Sequence, residues 1–166
     1  MADMAVRCAL CGVALAAALA AALAAGTARA EPYEVNPDAA ARDPDYAAGK
    51  AAMERKDWPQ AVLRFEKAAA GDPQNPDLQN YLGYSLRNLK QFEAALRHYQ
   101  QALLLDPRHR GAHEYIGETY LLLGDLARAE RHLIALREIC LLSCEELEDL
   151  ARAVAAFRAQ RSTVQP

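Results

Sequence analysis

Residues 76–109, PDLQNYLGYSLRNLKQFEAALRHYQQALLLDPRH, decide the fold of this chain, because they contain two helical patterns joined by a short turn. Apolar residues recur at a spacing of three or four over residues 78–89, and the same spacing returns over residues 92–105. Apolar residues at this spacing line up along one side of a helix. The stretch therefore predicts a pair of antiparallel helices with a turn at Lys90 and Gln91.

The same pattern returns 34 residues earlier and 34 residues later. Glycine, alanine and a large apolar residue each keep their position in it and form columns. The columns are Gly49, Gly83 and Gly117; Ala61, Ala95 and Ala129; and Phe65, Tyr99 and Leu133. Self-similarity at a fixed period of this length is typical of helical repeat arrays. The sequence therefore predicts an all-α fold with repeats at residues 42–75, 76–109 and 110–143.

Two details of the repeat predict how its helices begin and how they pack. The aspartate–proline pairs at residues 72–73 and 106–107 suit an N-cap followed by the first helical residue, where the missing N–H of proline is harmless. A glycine inside a helix costs about 1 kcal/mol relative to alanine, so the glycine column implies a close approach between helices. We expect Gly83 to pack against Ala95, with the large column filling the gap to the neighbouring repeat.

The repeats resemble the tetratricopeptide repeat, whose pattern combines large apolar residues with glycine, two alanines, an aromatic residue and proline at fixed positions. The middle repeat matches this pattern best, through Leu82, Gly83, Leu86, Ala95, Tyr99, Ala102 and Pro107. The resemblance implies a right-handed α-solenoid of antiparallel helix pairs. For function it implies only the binding of proteins or peptides.

In the tetratricopeptide family, the first helix of each repeat lines a concave groove through positions on either side of the glycine. Carried over to this chain, these positions are Tyr46, Lys50 and Met53; Asn80, Tyr84 and Arg87; and Glu114, Glu118 and Leu121. Tyrosine, arginine and asparagine suit peptide recognition, because they combine contact area with directional hydrogen bonds. The alternative, that these are ordinary solvated helix faces, stays open. The family's clamp for a C-terminal carboxylate is not expected, because Tyr46 and Gly111 stand where lysine is usual.

The first 30 residues are typical of a secretory signal peptide. Arg7 precedes an apolar run over residues 8–25, and Ala-Arg-Ala at residues 28–30 has the small residues of a signal peptidase site. Cleavage near Ala30 would leave residues 31–41 as a flexible lead-in and place the protein in the periplasm or outside the cell. The alternative is an uncleaved membrane anchor, since an apolar run of about 18 residues can just span a bilayer. Membrane association is expected only in that case.

Residues 144–160 predict a helix that caps the exposed apolar end of the array. Ser143 followed by Glu146 has the spacing of a capping box at the start of this helix. Residues 161–166 are expected to fray.

Cys140 and Cys144 are the cysteines that remain once the signal peptide is removed. In an oxidising compartment they are a disulfide candidate. Two small buried thiols are the alternative. Redox catalysis is disfavoured, because three residues instead of two separate the cysteines.

Composition and motifs argue against several functions. A net charge of −3 offers no basic face for nucleic acid, and no phosphate loop or nucleophile motif predicts an enzyme or a cofactor. His109 and His113 have a spacing that can hold a metal, but a third ligand is not evident, so no metal site is predicted. We expect a monomeric, exported adaptor that binds an unidentified protein or peptide in its groove. The alternative is a structural subunit of a cell-envelope assembly that binds through its convex face or its capping helix.

Overall fold

The computed structural model describes residues 43–164, so the predictions for the signal peptide and the lead-in lie outside the described residues. The described part of the chain contains helices and no strand, which confirms the predicted all-α class. Its helices are α1 (Pro44–Glu54), α2 (Trp58–Gly71), α3 (Pro76–Asn88), α4 (Phe92–Leu105), α5 (Arg110–Leu122), α6 (Leu126–Ile139) and α7 (Glu145–Val164). None of these helices is long and apolar enough to cross a membrane.

The first six helices form three pairs, α1 with α2, α3 with α4, and α5 with α6. Turns of only a few residues join the helices of a pair, which makes them antiparallel neighbours. Successive pairs stack, because α2 contacts α3 and α4 contacts α5. Helix α7 packs on both helices of the last pair. Apolar faces are therefore buried between neighbours along the array.

The turn inside each pair uses one residue in the left-handed backbone region. Lys56, Lys90 and Gly124 occupy the same repeat position, with φ of 58°, 61° and 79°. A left-handed conformation costs a residue with a side chain about 1 kcal/mol, whereas glycine adopts it freely. The turn thus lies where the sequence places it, although two of the three repeats use lysine for a conformation that glycine favours.

The aspartate–proline pairs do not begin the helices that follow them, so that prediction is wrong. Asp106 instead accepts a hydrogen bond from the Arg108 N–H (2.9 Å), inside the turn between the repeats. The N-caps lie three residues later. Asn75 Oδ1 accepts from the N–H groups of residues 77 and 78 (3.0 and 3.3 Å), and His109 Nδ1 accepts from the Ala112 N–H (3.0 Å). The aspartate and proline directly follow the end of a second helix. The chain then uses the next residues to turn, so the following helix begins only at Pro76 or Arg110.

The glycine column makes room for a large side chain and not, as expected, for alanine. A Cβ atom on Gly83 would lie 2.5 Å from ring atoms of Tyr99, whose side chain is fully buried. A Cβ atom on Gly49 would likewise lie 2.6 Å from a ring atom of Phe65. The nearest neighbour of Gly83 is thus Tyr99 of its own repeat rather than Ala95. The two columns are paired, because the ring occupies the volume that the glycine leaves empty.

Helix α7 fills the corresponding space in the last repeat. A Cβ atom on Gly117 would lie 2.6 Å from the side chain of Leu150. Leu150 and Val154 of α7 are 0% and 2% exposed, so α7 covers the apolar end of the array. The helix continues to Val164, and residues 161–164, which were expected to fray, are helical.

The start of α7 differs from the predicted capping box. The Ser143 hydroxyl donates to the side chain of Glu148 (2.6 Å), and the Glu148 N–H donates to the carbonyl of Cys144 (3.1 Å). Cys140 and Cys144 form a disulfide with a Cα–Cα distance of 5.9 Å, as the sequence suggested. The disulfide joins Cys140, directly after α6, to Cys144, directly before α7, and holds the connection between the two helices.

Candidate functional site

The first helices of the three pairs present one continuous set of side chains, which we call the first-helix face. Its members occupy equivalent repeat positions on α1, α3 and α5, and Arg87 of α3 forms an ion pair with Glu118 of α5. They are Tyr46, Lys50, Met53, Asn80, Tyr84, Arg87, Glu114, Glu118 and Leu121. The structure brings these residues together in three regions, an aromatic end on α1, a central arginine on α3 and an acidic part on α5.

The aromatic end is held by ring contacts between α1, α2 and α3. Tyr46 makes edge contacts with Phe65 and Tyr81, at centroid distances of 6.3 and 5.9 Å. Burial and a hydrogen bond with Tyr81 raise the pKa of Tyr46 to about 12, so its hydroxyl stays protonated at neutral pH. The Lys50 ammonium lies over the Tyr81 ring, 4.2 Å from its centroid, and Met53 packs half-buried against the same cluster. This end of the face is therefore preorganised by packing.

Arg87 is a charged side chain of the face that both ring contacts and an ion pair restrain. Its guanidinium lies 5.1 Å from the centroids of both Tyr84 and Tyr115, and it forms an ion pair with Glu118. Tyr84 is itself fixed by ring contacts with Trp58 (5.8 Å) and Tyr115 (4.9 Å). Stacking of this kind restrains a long side chain and reduces the entropy it would lose on binding a partner.

Asn80 and Glu114 are more buried than a solvated face would allow. They are 5% and 8% exposed, and Asn80 Oδ1 has no hydrogen-bond partner among the described residues. Burial, together with the neighbouring carboxylates of Glu118, Asp149 and Glu146, raises the pKa of the Glu114 carboxyl to about 8. The interpretation of Glu114 as an ordinary solvated charge is therefore wrong.

A cavity of about 500 Å³ opens where the face meets α7. Arg87 and Glu118 form its charged side. The rest of its lining consists of Leu121, Leu122, Ala153, Ala156, Phe157 and Gln160. One wall is thus charged and the other is largely apolar, an arrangement that suits an amphipathic segment of a partner.

Sequence reasoning missed several residues that shape this site. Trp58, Tyr81 and Tyr115 were not named as site residues, yet their rings contact the rings of Tyr46 and Tyr84 on the first-helix face. Phe157 of α7 was not named as a site residue either, yet it lines the cavity. The sequence did contain a signal for two of them. Tyr81 and Tyr115 each stand two residues before a glycine of the repeat, so their rings lie close to the first-helix face as well as to the core.

The histidines considered for metal binding serve other contacts. His109 Nε2 donates to Asp77 (3.0 Å), and His113 Nε2 donates to the carbonyl of Pro107 (3.1 Å). Nδ1 of His113 lies 3.0 Å from Nδ1 of His132, and burial, followed by the proximity of His113, lowers the pKa of His132 to about 4. Within residues 43–164, no group of three or more histidine, cysteine, aspartate or glutamate side chains is placed to hold a metal ion.

Comparison with known proteins agrees with this architecture. The tetratricopeptide repeat family model matches residues 76–109. The human protein O-mannosyl-transferase TMTC3 is 36% identical over 74 residues, which are 45% of this chain and 8% of that protein. The Arabidopsis thaliana TPR repeat-containing thioredoxin TTL4 is 26% identical over 105 residues, 63% of this chain and 15% of that protein. The chain thus spans only a small part of the curated relatives it matches.

Solved structures resemble the chain over more of its length. The TPR2B domain of yeast Sti1, in its complex with pHsp70, has a TM-score of 0.62 at 20% identity and covers 68% of this chain and 94% of its own. PcrH, in complex with the chaperone binding region of PopD, has a TM-score of 0.61 at 25% identity, with 73% and 91% covered. The chain therefore carries a tetratricopeptide repeat at residues 76–109, within a helical array that has the α-solenoid fold of tetratricopeptide domains.

Proposed function

We propose that this chain is an exported adaptor that binds another protein, or an extended peptide of it, along the first-helix face and the adjoining side of α7. The cavity of about 500 Å³ beside Arg87 and Glu118 carries the proposal. A bound segment could place an apolar side chain against α7 and polar groups against α3 and α5. Arg87 and Glu118 at the cavity are held by their ion pair and by the rings beside Arg87, so binding would cost little ordering of these two side chains.

Related structures support this kind of ligand. The Sti1 domain was solved in a complex with pHsp70, and PcrH was solved in complex with the chaperone binding region of PopD. The match to the O-mannosyl-transferase is confined to 74 residues and 8% of that protein, so it carries no transferase activity over to this chain. We accordingly assign the chain a binding role and no enzymatic one, and we expect it to act as a monomer.

The proposal includes three repeats, at residues 42–75, 76–109 and 110–143, followed by α7 as a cap. It also includes export by a signal peptide at residues 1–30, with cleavage near Ala30 and a periplasmic or secreted product. The disulfide between Cys140 and Cys144 supports export, because such bonds persist in oxidising compartments.

The test is capture of partners from an envelope extract by purified protein and by two arginine variants. Arg87→Ala removes the central side chain of the first-helix face, whereas Arg97→Ala makes the same change at an exposed position of α4. We expect Arg87→Ala to lose the partner and Arg97→Ala to retain it, with unchanged circular dichroism for both. Full recovery of the partner by Arg87→Ala would contradict binding at this face.

A second candidate function is a structural subunit of an envelope assembly. It is favoured by exposed apolar side chains on the second helices, namely Leu63 (45%), Leu104 (77%) and Ile134 (52%). Partner recovery that is lost in Leu104→Ser but kept in Arg87→Ala would support this function over the adaptor.

A further inference from the structure

Each of the three helix pairs has a polar contact between its two helices, at the same repeat positions and 19 residues apart in sequence. The contacting side chains are Asp45 with Arg64 (2.7 Å), Gln79 with His98 (2.9 Å) and His113 with His132 (3.0 Å). The first contact is an ion pair, the second joins an amide to a ring, and the third joins two rings. The three contacts therefore share a place in the repeat but differ in how they respond to protons.

The hydrogen bonds of the two histidines in the third pair fix where their protons lie. Nε2 of His113 donates to the carbonyl of Pro107 (3.1 Å), so in the neutral ring Nδ1 carries no proton and accepts. Nδ1 of His132 then donates to it across 3.0 Å. His113 is 9% exposed, and the ring of Tyr120 stacks on that of His132, with the centroids 6.0 Å apart. The contact is therefore a hydrogen bond between two neutral rings in an enclosed place.

The two rings can take up one proton and keep this contact, but they cannot take up two. With one added proton, His113 carries hydrogen on both ring nitrogens, and its Nδ1 donates to Nδ1 of His132. With two added protons, both Nδ1 atoms carry hydrogen. Two positively charged donors would then face each other across 3.0 Å, so the second proton breaks the contact.

The groups around the two rings keep them neutral at pH 7. Burial lowers the pKa of His113, and His109 lowers it further, whereas the Pro107 carbonyl and Asp106 act in the opposite direction. Burial, followed by the proximity of His113 and then of Arg131 on α6, lowers the pKa of His132 to about 4.

The lowered pKa values set the direction of the acid response. The unfolded chain takes up the same protons at the ordinary histidine pKa of 6.5. The stability that the contact provides is therefore complete above pH 6.5 and is lost as the pH falls toward 4.

We propose that His113 and His132 form an acid-sensitive contact, which holds α5 to α6 at neutral pH and opens when both rings are protonated. The second helix pair lacks this response, because Gln79 does not take up a proton. Opening in acid loosens the third pair, in which α5 carries Glu118 and Leu121 of the first-helix face. The contact is present whatever that face binds, so the inference goes beyond the proposed function.

The test is amide hydrogen exchange of the full chain at pH 7 and pH 4.5, followed by mass spectrometry and corrected for the intrinsic exchange rate. His113→Gln gives the third pair the glutamine and histidine of the second pair, where the Nδ1–H of His98 can donate whether or not its ring is charged. Gln79→His makes the reverse change in the second pair, and Pro73 stands there at the repeat position of Pro107. The chain thus offers both a variant that removes the response and one that introduces it.

We expect the protection of α5 and α6 in the wild type to fall about tenfold more than that of α3 and α4 between pH 7 and pH 4.5, since one pKa unit of proton linkage corresponds to a factor of ten. His113→Gln should remove this difference, and Gln79→His should extend the fall to α3 and α4. The pKa of His132, followed by NMR of the imidazole ring, should rise in His113→Gln, because its proton no longer meets a second ring.

Equal acid sensitivity of α5 and α6 in the wild type and in His113→Gln would overturn the proposal, and so would an unchanged pKa of His132. A loss of protection that is uniform over the described helices would mean that acid unfolds the whole array, which would overturn it as well. His132→Gln, which also leaves one titrating ring in the third pair, replaces either variant that does not fold at pH 7 as judged by circular dichroism.

Discussion

Replacing Glu114 by glutamine should change how the stability of the protein depends on pH. The pKa of this carboxyl rises from 4.5 to about 8 on folding, with burial as the largest cause. The folded protein therefore holds one more proton than the unfolded chain between these two values. The stabilisation associated with that proton is complete below pH 4.5 and is lost as the pH rises through about 8.

The magnitude follows from the two pKa values of Glu114. Between pH 6 and pH 9, the raised pKa should cost the wild type about 2 to 3 kcal/mol of unfolding free energy. Glutamine has nearly the same shape and does not titrate, so Glu114→Gln should lack this contribution. The variant should gain stability relative to the wild type as the pH rises, whatever its stability at pH 6.

Urea unfolding at pH 6, 7.5 and 9, followed by circular dichroism, measures the difference. Glu138→Gln serves as the control, because it makes the same chemical change on an exposed side chain of α6 and should show no such trend. Histidines that titrate in this range affect the wild type and the variant alike, so they cancel in the comparison. A difference between Glu114→Gln and the wild type that stays constant from pH 6 to pH 9 would refute the reasoning.

Further perturbations test the packing and the cross-link. Gly83→Ala should lower stability by about 1 to 3 kcal/mol, because its Cβ would lie 2.5 Å from the buried ring of Tyr99. Gly71→Ala, with no atom within 4 Å of the added Cβ, should be neutral or stabilising, and equal urea midpoints for the two variants would argue against the ring contact. Reduction of the disulfide between Cys140 and Cys144 should lower stability by about 2 kcal/mol, since it opens a short loop. Intact mass should rise by about 2 Da on reduction, and an unchanged mass would show that the purified protein lacks the bond.

The order of the helices was predictable because each helix depends mainly on residues near it in sequence. Apolar spacing located α3 and α4, and the 34-residue period transferred that result to the other pairs. The turn at Lys90 was predictable for the same reason, since a helix pattern must be interrupted for the chain to reverse. The N-caps were less predictable. Asn75 and Asp72 are both good capping residues, and the length of the turn decides between them.

The sequence predicted which residues lie at the candidate site, but it did not predict their burial or their ion pairs. Repeat spacing places Arg87, Glu114 and Glu118 on one face, since equivalent positions of stacked helices adjoin. It does not say that Arg87 pairs with Glu118, or that Glu114 is only 8% exposed. Ion pairs and burial depend on distances between helices. They also depend on where α7 packs on α5 and α6, which the 34-residue repeat does not predict because α7 lies outside it.

The sequence by itself determined the fold class, the helix pairs and the proximity of the two cysteines, because all three follow from local spacing along the chain. Only the tertiary structure decided which side chains are buried and which remain available to a partner. Gly83 illustrates the difference. Its place in the repeat implied a close approach, but only the packed helices identify Tyr99 as the side chain that approaches it. The physical reason is that packing and electrostatic energies depend on atoms far apart in sequence, whereas helix formation depends on near neighbours.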